Sequence, residues 1–296
     1  MSDFRQQMVE SFLYHIDSCP PFAALCDRFD PDMALEELPF IPARLFKRLD
    51  LCSVPADQIV RWVESSGTSG KPSRVALDRS TLMAQQRHLL SQLADLLGNR
   101  RLPFWLFADP EMGEGGTLTA RSAAMRGFLL AASSVTTLDE RLPPTSEPAV
   151  VLGYTHQFWN QLPRCDLSQA TLIHFGGWKR LKGVSRADFL AHIQERTGAG
   201  RVIDLYGFTE QLGIVYPDLG SGVRKIPQQS RLIVRDPYTL KPLPGGEVGL
   251  LQFLTPMPRS YPGISVLLDD LGRKHSSDTF EVIGRAKGSE VRGCGI

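Results

Sequence analysis

The sequence has little that would commit it to a special environment. None of its apolar runs approaches the ~20 residues that cross a bilayer, so no membrane span is expected. The opening MSDFRQQMVE is polar and lacks the apolar core of a secretory signal, which makes cytoplasm the expected compartment. Five cysteines (Cys19, Cys26, Cys52, Cys165 and Cys294) are odd in number and irregularly spaced, against both a disulfide framework and a zinc pattern. Six histidines form no HExxH. Lys and Arg number 33 against 32 Asp and Glu, a net charge of +1, so there is no electrostatic footprint for nucleic acid. The short GNRR, residues 98–101, reads as a helix-to-strand turn. Repeats and low-complexity linkers are also missing.

What is present is an ordinary globular chain of 296 residues, 42% hydrophobic and 22% charged, long enough to bury a substantial core. Residues 1–60 are expected to form a mainly helical N-terminal cap, interrupted by prolines. Residues 61–222 alternate strands and helices. Strands are expected at Arg61–Glu64, Arg74–Leu77, Phe104–Phe107, Ala149–Leu152, Leu172–Phe175 and Arg201–Leu205. Helices follow Ser80, run through Leu118, Met125 and Leu129, and open on a Ser185/Asp188 capping box. This order predicts an α/β layered sheet. Residues 223–296 read as a β-rich subdomain, with strands at Arg231–Val234, Val248–Phe253, Ser265–Leu268 and Phe280–Ile283.

Residues 64–74, ESSGTSGKPSR, carry the first chemical signal. Gly67 and Gly70 free backbone N–H groups, while Ser65, Ser66, Thr68 and Ser69 add hydroxyl donors, a composition suited to cradling phosphate. The plain alternative is a hairpin turn that tolerates such residues. A Walker A loop is disfavoured: Gly67 stands two residues too close to Gly70–Lys71, Pro72 replaces the magnesium-binding hydroxyl, and RVALD continues as a strand.

A second signal is VIDLYGFTEQLG, residues 202–213, where a strand turns through Gly207 to present Thr209 and Glu210. The carboxyl end of a strand is where α/β sheets bind ligands. Tyr206 could stack on a base, Thr209 bond a phosphate and Glu210 hold Mg²⁺; equally, Tyr206 could be core and Glu210 solvated. TLIHFGGWKRL, residues 171–181, runs a strand into Gly176 and Gly177, with His174 a pocket candidate or simply a hydrogen-bonded structural residue. VLLDDLGRK places Asp269 and Asp270 after an apolar strand, where a carboxylate could bind a ribose diol or mark a hairpin. The acidic DPEMGEGG, residues 109–116, reads as a substrate-side loop.

Taken in order, these segments resemble the adenylate-forming superfamily, and within it the acyl-protein synthetases of bacterial fatty-acid reductase systems. SSGTSGKPSR resembles the phosphate loop, HFGGWKRL the acyl and adenine pocket, YGFTE the tyrosine-gly-x-thr-glu signature, DDLG the ribose aspartate (Asp270), and GRAKGSEVRGCG the hinge, with Arg285 near the ribose. The likeness runs from about residue 60 to the end. It departs in the loop, where Pro72 is followed by Ser73 and Arg74 instead of Lys-Gly. It also departs at Ile296, immediately after the hinge, where most relatives continue into a mobile C-terminal domain with a catalytic lysine.

The resemblance implies an adenylate-forming core without that mobile domain, using ATP and Mg²⁺ to activate a carboxylic acid, with a fatty acid as the expected substrate. The acyl group would pass to a protein cysteine. Cys294 is the candidate by its tail position, with Arg292 nearby to favour the thiolate. Free coenzyme A is the alternative acceptor, and a non-catalytic adenylate-binding subunit of a complex is the rival of another class. An acyl-CoA reductase-like or acyl-carrier partner would fit such a thioester. Lys71, Arg74, Lys179 or a partner would replace the missing lysine. Phe104, Trp105, Phe107, Trp159 and Trp178 could line an acid pocket or an ordinary core.

Overall fold

Strand pairing divides the chain between a large sheet and a small one. The computed structural model describes residues 3–65, 71–107, 118–138, 146–176, 178 and 181–286. The chain begins with helices α1 (Phe4–Ser18) and α2 (Pro20–Ala23) and the two-residue strand β1 (Ile41–Pro42). Prolines restrict the rest of this segment to three-ten turns at Leu35–Glu37, Ala43–Lys47 and Ala56–Gln58. A hairpin of β2 (Ile59–Glu64) and β3 (Arg74–Asp78) follows, then helix α3 (Arg79–Leu97). The helix is capped by Asp78, whose carboxylate accepts from Thr81 N at 2.8 Å, two residues ahead of the expected start.

The centre of the chain alternates β4 (Leu102–Leu106), β5 (Leu118–Thr119), α4 (Ala120–Leu129), β6 (Ala132–Thr137), β7 (Ala149–Gly153), α5 (Thr155–Gln161), β8 (Ala170–Phe175), α6 (Arg186–Thr197) and β9 (Arg201–Tyr206). The expected capping box holds: Ser185 Oγ accepts from Asp188 N at 3.1 Å, and the Asp188 carboxylate accepts from Ser185 N at 3.3 Å. The last strands are β10 (Tyr216–Asp218), β11 (Val223–Lys225), β12 (Arg231–Arg235), β13 (Val248–Leu254), β14 (Ser265–Lys274) and β15 (Thr279–Arg285).

Twelve strands form one sheet in the order β12-β13-β14-β15-β11-β10-β9-β8-β7-β4-β6, with β1 added in parallel to β14; β3-β2-β5 form the second. Strands β6, β4, β7, β8 and β9 are mutually parallel, and β9 to β15 continue antiparallel. The layered mixed α/β fold is therefore as expected. The inner parallel strands β4, β7 and β8 are mostly apolar because helices cover both faces, whereas β6 at the sheet edge is polar. Along β7, Val150 and Leu152 face a core with α3 and α4, while Ala149 and Val151 face one with α5 and α6. A third core joins α1 and α2 to β12–β15.

Two expectations need correction. Strand β14 does not stop at Leu268 but continues to Lys274, so Asp269 and Asp270 lie within a strand; β13 and β15 pair along the extension. Strands β1, β5, β6, β10 and β11 escaped the sequence pattern. Four have only two or three residues, and β6 (ASSVTT) is too polar to show an apolar strand signal. No helix among the described residues is long and apolar enough to cross a membrane.

Candidate active site

The site forms where the β2–β3 hairpin meets the carboxyl ends of β8 and β9, as expected for an α/β sheet. Ser66, Gly67, Thr68, Ser69 and Gly70 lie outside the described residues, and the description of this hairpin stops at its base. That base is closed by Ser65 N donating to Ser73 O and by Ser73 N donating to Ser65 Oγ, each at 2.8 Å. Ser73 Oγ donates onward to Glu210 Oε1 at 2.7 Å. The phosphate-loop candidate and the glutamate of YGFTE, 137 residues apart, are thus joined directly.

Glu210 is 2% exposed and Thr209 equally buried, in a three-ten turn that follows β9. Two features hold this turn. The Gln211 amide donates to Phe253 O at 3.0 Å and to Gly263 O at 2.9 Å. Gly263 presses so closely that a Cβ there would stand 2.2 Å from Glu210 O, so only hydrogen fits. At the other end of the motif, Tyr206 Oη donates to Asp270 Oδ2 at 2.7 Å, and Arg285 Nε donates to Asp270 Oδ1 at 2.9 Å. Asp270 and Arg285 are direct register partners of β14 and β15. Residues 206–210 therefore link the ribose candidate Asp270 to the base of the phosphate loop. The Tyr206 ring packs among Phe208, Tyr216, Phe253 and Phe280.

The other candidates fall around this frame. Gly176 and Gly207 line an open cavity, shared with Tyr206, Thr209 and Trp178. Gly177, Lys179, Cys294, residues 109–116 and the hinge beyond Ala286 lie outside the described residues. Lys71 is exposed. The Arg74 guanidinium stacks 3.9 Å from the Trp62 ring and lies 3.8 and 3.9 Å from Asp50 and Glu64. Of the five aromatic pocket candidates, only Trp178 lines the cavity; Phe104 belongs to the core beneath α3 and α4, while Trp105, Phe107, Trp159 and Trp178 belong to or pack against the core beneath α5 and α6.

One side of the cavity is formed by Asp204 and Arg224, part of a buried ionic network that the sequence did not reveal. Asp204 takes Arg224 Nη2 at 2.7 Å and Arg186 Nη1 at 3.4 Å, and Arg186 also pairs with Asp218. Burial works to raise the Asp204 pKa, but the Arg224 and Arg186 guanidiniums hold it below the usual carboxylate range. His174, 1% exposed, bonds Thr155 Oγ1 through Nδ1 at 2.9 Å; burial lowers its pKa to about 4, so the ring is neutral. It does not line the cavity and is a structural histidine. Only the residue pair Asp204–Tyr206, two apart on β9, hinted that this network would touch the site.

A magnesium ion is commonly held through one or two carboxylates plus substrate phosphates. Glu210, buried beside the loop base, is a carboxylate that could serve such an ion.

A sheet whose strand ends gather a hydroxyl-rich loop, a Thr-Glu turn and an Asp–Arg pair defines an adenylate-forming core. Solved structures share that fold. A 2-hydroxyisobutyryl-CoA ligase with its acyl adenylate superposes with a TM-score of 0.73 at 16% identity, over 98% of this chain and 69% of the ligase. ATP-bound MatB from Rhodopseudomonas palustris gives 0.55 at 19% identity, covering 79% of this chain and 49% of MatB. The family described as "Acyl-protein synthetase, LuxE" matches residues 2–148 and 161–296, and the chain belongs to that family. Two relatives are "Long-chain-fatty-acid--luciferin-component ligases". The one from Vibrio harveyi is 22% identical over 97% of this chain and 84% of its own length. The one from Aliivibrio fischeri is 21% identical over 99% and 87%. The chain is accordingly an ATP-dependent acid–thiol ligase that activates a carboxylic acid as its acyl adenylate.

Proposed function

We propose that this protein activates a fatty acid and passes it to a thiol. A carboxylate oxygen attacks the α-phosphorus of ATP, the bond to the β-phosphate oxygen breaks, and pyrophosphate leaves. The main contribution of the protein is positioning and charge neutralisation. Ser66, Thr68 and Ser69 would hold the departing phosphates, and Thr209 would donate to the α-phosphate. Asp270, with Arg285 and Tyr206 fixing its two oxygens, would accept from the ribose hydroxyls. Glu210 would hold Mg²⁺, which when bound offsets phosphate charge. Lys71 is exposed and, among the described residues, without an ion-pair partner, whereas Arg74 already has two carboxylates beside it. Lys71 is thus the cation we favour at the phosphates. The observation that carries this reading is the continuous linkage Asp270–Tyr206 and Glu210–Ser73 through one five-residue turn.

In the second step a thiolate attacks the acyl carbon, the bond to AMP breaks, and a thioester forms. The structural relatives favour free coenzyme A as the acceptor, since the 2-hydroxyisobutyryl-CoA ligase is also known with coenzyme A beside its adenylate. The family's description favours a protein thiol, for which Cys294 is the candidate in this chain. A reductase-like or acyl-carrier partner would take up the product. Acid-dependent exchange of labelled pyrophosphate into ATP tests the first step, and its absence with every acid, even with a partner reductase added, sinks the proposal. Cys294→Ala separates the acceptors: turnover with coenzyme A persists if the acceptor is free, and a hydroxylamine-labile acyl protein disappears if it is Cys294.

A further inference from the structure

The cavity beside Thr209 is lined on one side by helix α4. The start of that helix lies by the base of the phosphate-loop hairpin: β5 pairs with Val63–Glu64 and runs straight into α4. Ala120, at the start of α4, lines the cavity together with Gly207 and Thr209. One and two helical steps further, Ala124 and Phe128 line it from the same face of α4. At the far end Phe128 meets Phe175, ring centroids 5.8 Å apart, and Tyr154 backs Phe175 at 5.3 Å. Phe128 is 1% exposed and belongs to the closed core beneath α3 and α4, with Leu205 and Val215 beside it. Along this face of α4 the lining thus passes from two small side chains to a pair of rings.

We infer that Phe128 is a specificity-determining residue that ends the acyl pocket, and that the acid activated is a straight, saturated chain of about ten carbons; this rests on the activation proposed above. From Ala120 to Phe128 the helix rises about 12 Å. An extended alkyl chain with bonds of about 1.5 Å and angles of about 111° advances ~1.25 Å per carbon, so ~12 Å accommodates about ten carbons. Each methylene buried short of the stop adds roughly fourfold to kcat/KM, and the first one beyond it meets the Phe128–Phe175 rings.

The test is acid-dependent pyrophosphate exchange across straight-chain acids of about six to about sixteen carbons, with aryl-alkanoic acids alongside and thermal melts to verify folding. The wild-type profile should climb to a maximum near ten carbons and then drop. Phe128→Ala should move the maximum to longer acids by about three carbons, and the milder Phe128→Leu should move it in the same direction in case the alanine variant does not fold. Ala124→Leu should move it to shorter acids. A wild-type maximum at about fourteen carbons or more, a preference for aryl acids, or an unmoved maximum in a folded Phe128 variant overturns the assignment while leaving acid activation intact. Silence of the wild-type protein with every acid removes both.

Discussion

Asp204 and Asp270 flank Tyr206, the first two residues before it on β9 and the second at its hydroxyl on β14. Both are buried carboxylates beside arginine, yet their surroundings differ in kind. Asp204 is clasped by two guanidiniums and lies beside a neutral histidine, and Arg224 also donates to the Asp204 and Tyr216 carbonyls. Asp270 receives one guanidinium N–H and one phenol O–H, which leaves acceptor capacity on a carboxylate with about four lone-pair sites. The first arrangement locks four strands and α6 together; the second is fixed in orientation but still able to accept from a ligand. A charge that is fully paired supports a wall, and one that is partly paired can serve a site.

Four experiments would break or sharpen that contrast. Arg224→Met removes the nearer of the two guanidiniums on buried Asp204 and should cost about 3–5 kcal/mol in chemical denaturation, with Asp204→Leu in the same chain recovering much of the loss. A loss below about 1 kcal/mol would remove the wall role. Acid should attack the same region next. His174 has its pKa depressed to about 4 by burial against an unfolded value near 6.5, so the unfolded state binds the extra proton between those pH values. Stability should therefore be intact above about pH 6.5 and fall as pH drops toward 4, by roughly 2–3 kcal/mol from this residue. His174→Gln should flatten that slope.

Asp270→Asn should leave stability nearly unchanged while weakening ATP binding by about 1.5–3 kcal/mol, measured calorimetrically. Unaltered ATP affinity with a large melting shift would assign Asp270 to the wall instead. The smallest effect is expected from Ser73→Ala, which removes one hydrogen bond to Glu210 and should cost about 1 kcal/mol, visible as reduced pyrophosphate exchange at constant melting temperature.

Legibility followed the range of the interactions. The strand-and-helix order of residues 61–206, the Ser185/Asp188 box and the turn of YGFTE were readable because each depends on neighbours within a few residues. The extension of β14 through Asp269 and Asp270 was not, because two adjacent carboxylates resemble a turn until Tyr206 and Arg285 satisfy one of them. Gln211 looked like one more polar residue beside Glu210, and Gly263 like one more loop glycine. Their roles appear only when β13 and residue 263 are brought against the turn. Arg186, Asp218 and Arg224 carried no local pattern at all.

By itself, the sequence determined the layered α/β class and the turn that presents Thr209 and Glu210 after a strand, since backbone preference and side-chain type are written locally. Only the tertiary structure decided that Ser73 reaches Glu210, that Asp270 is oriented by Tyr206 and Arg285, and that Phe128 of α4 and Thr209 line one cavity. Those outcomes depend on distances between residues far apart in the chain, and burial gives such contacts their strength by excluding competing water.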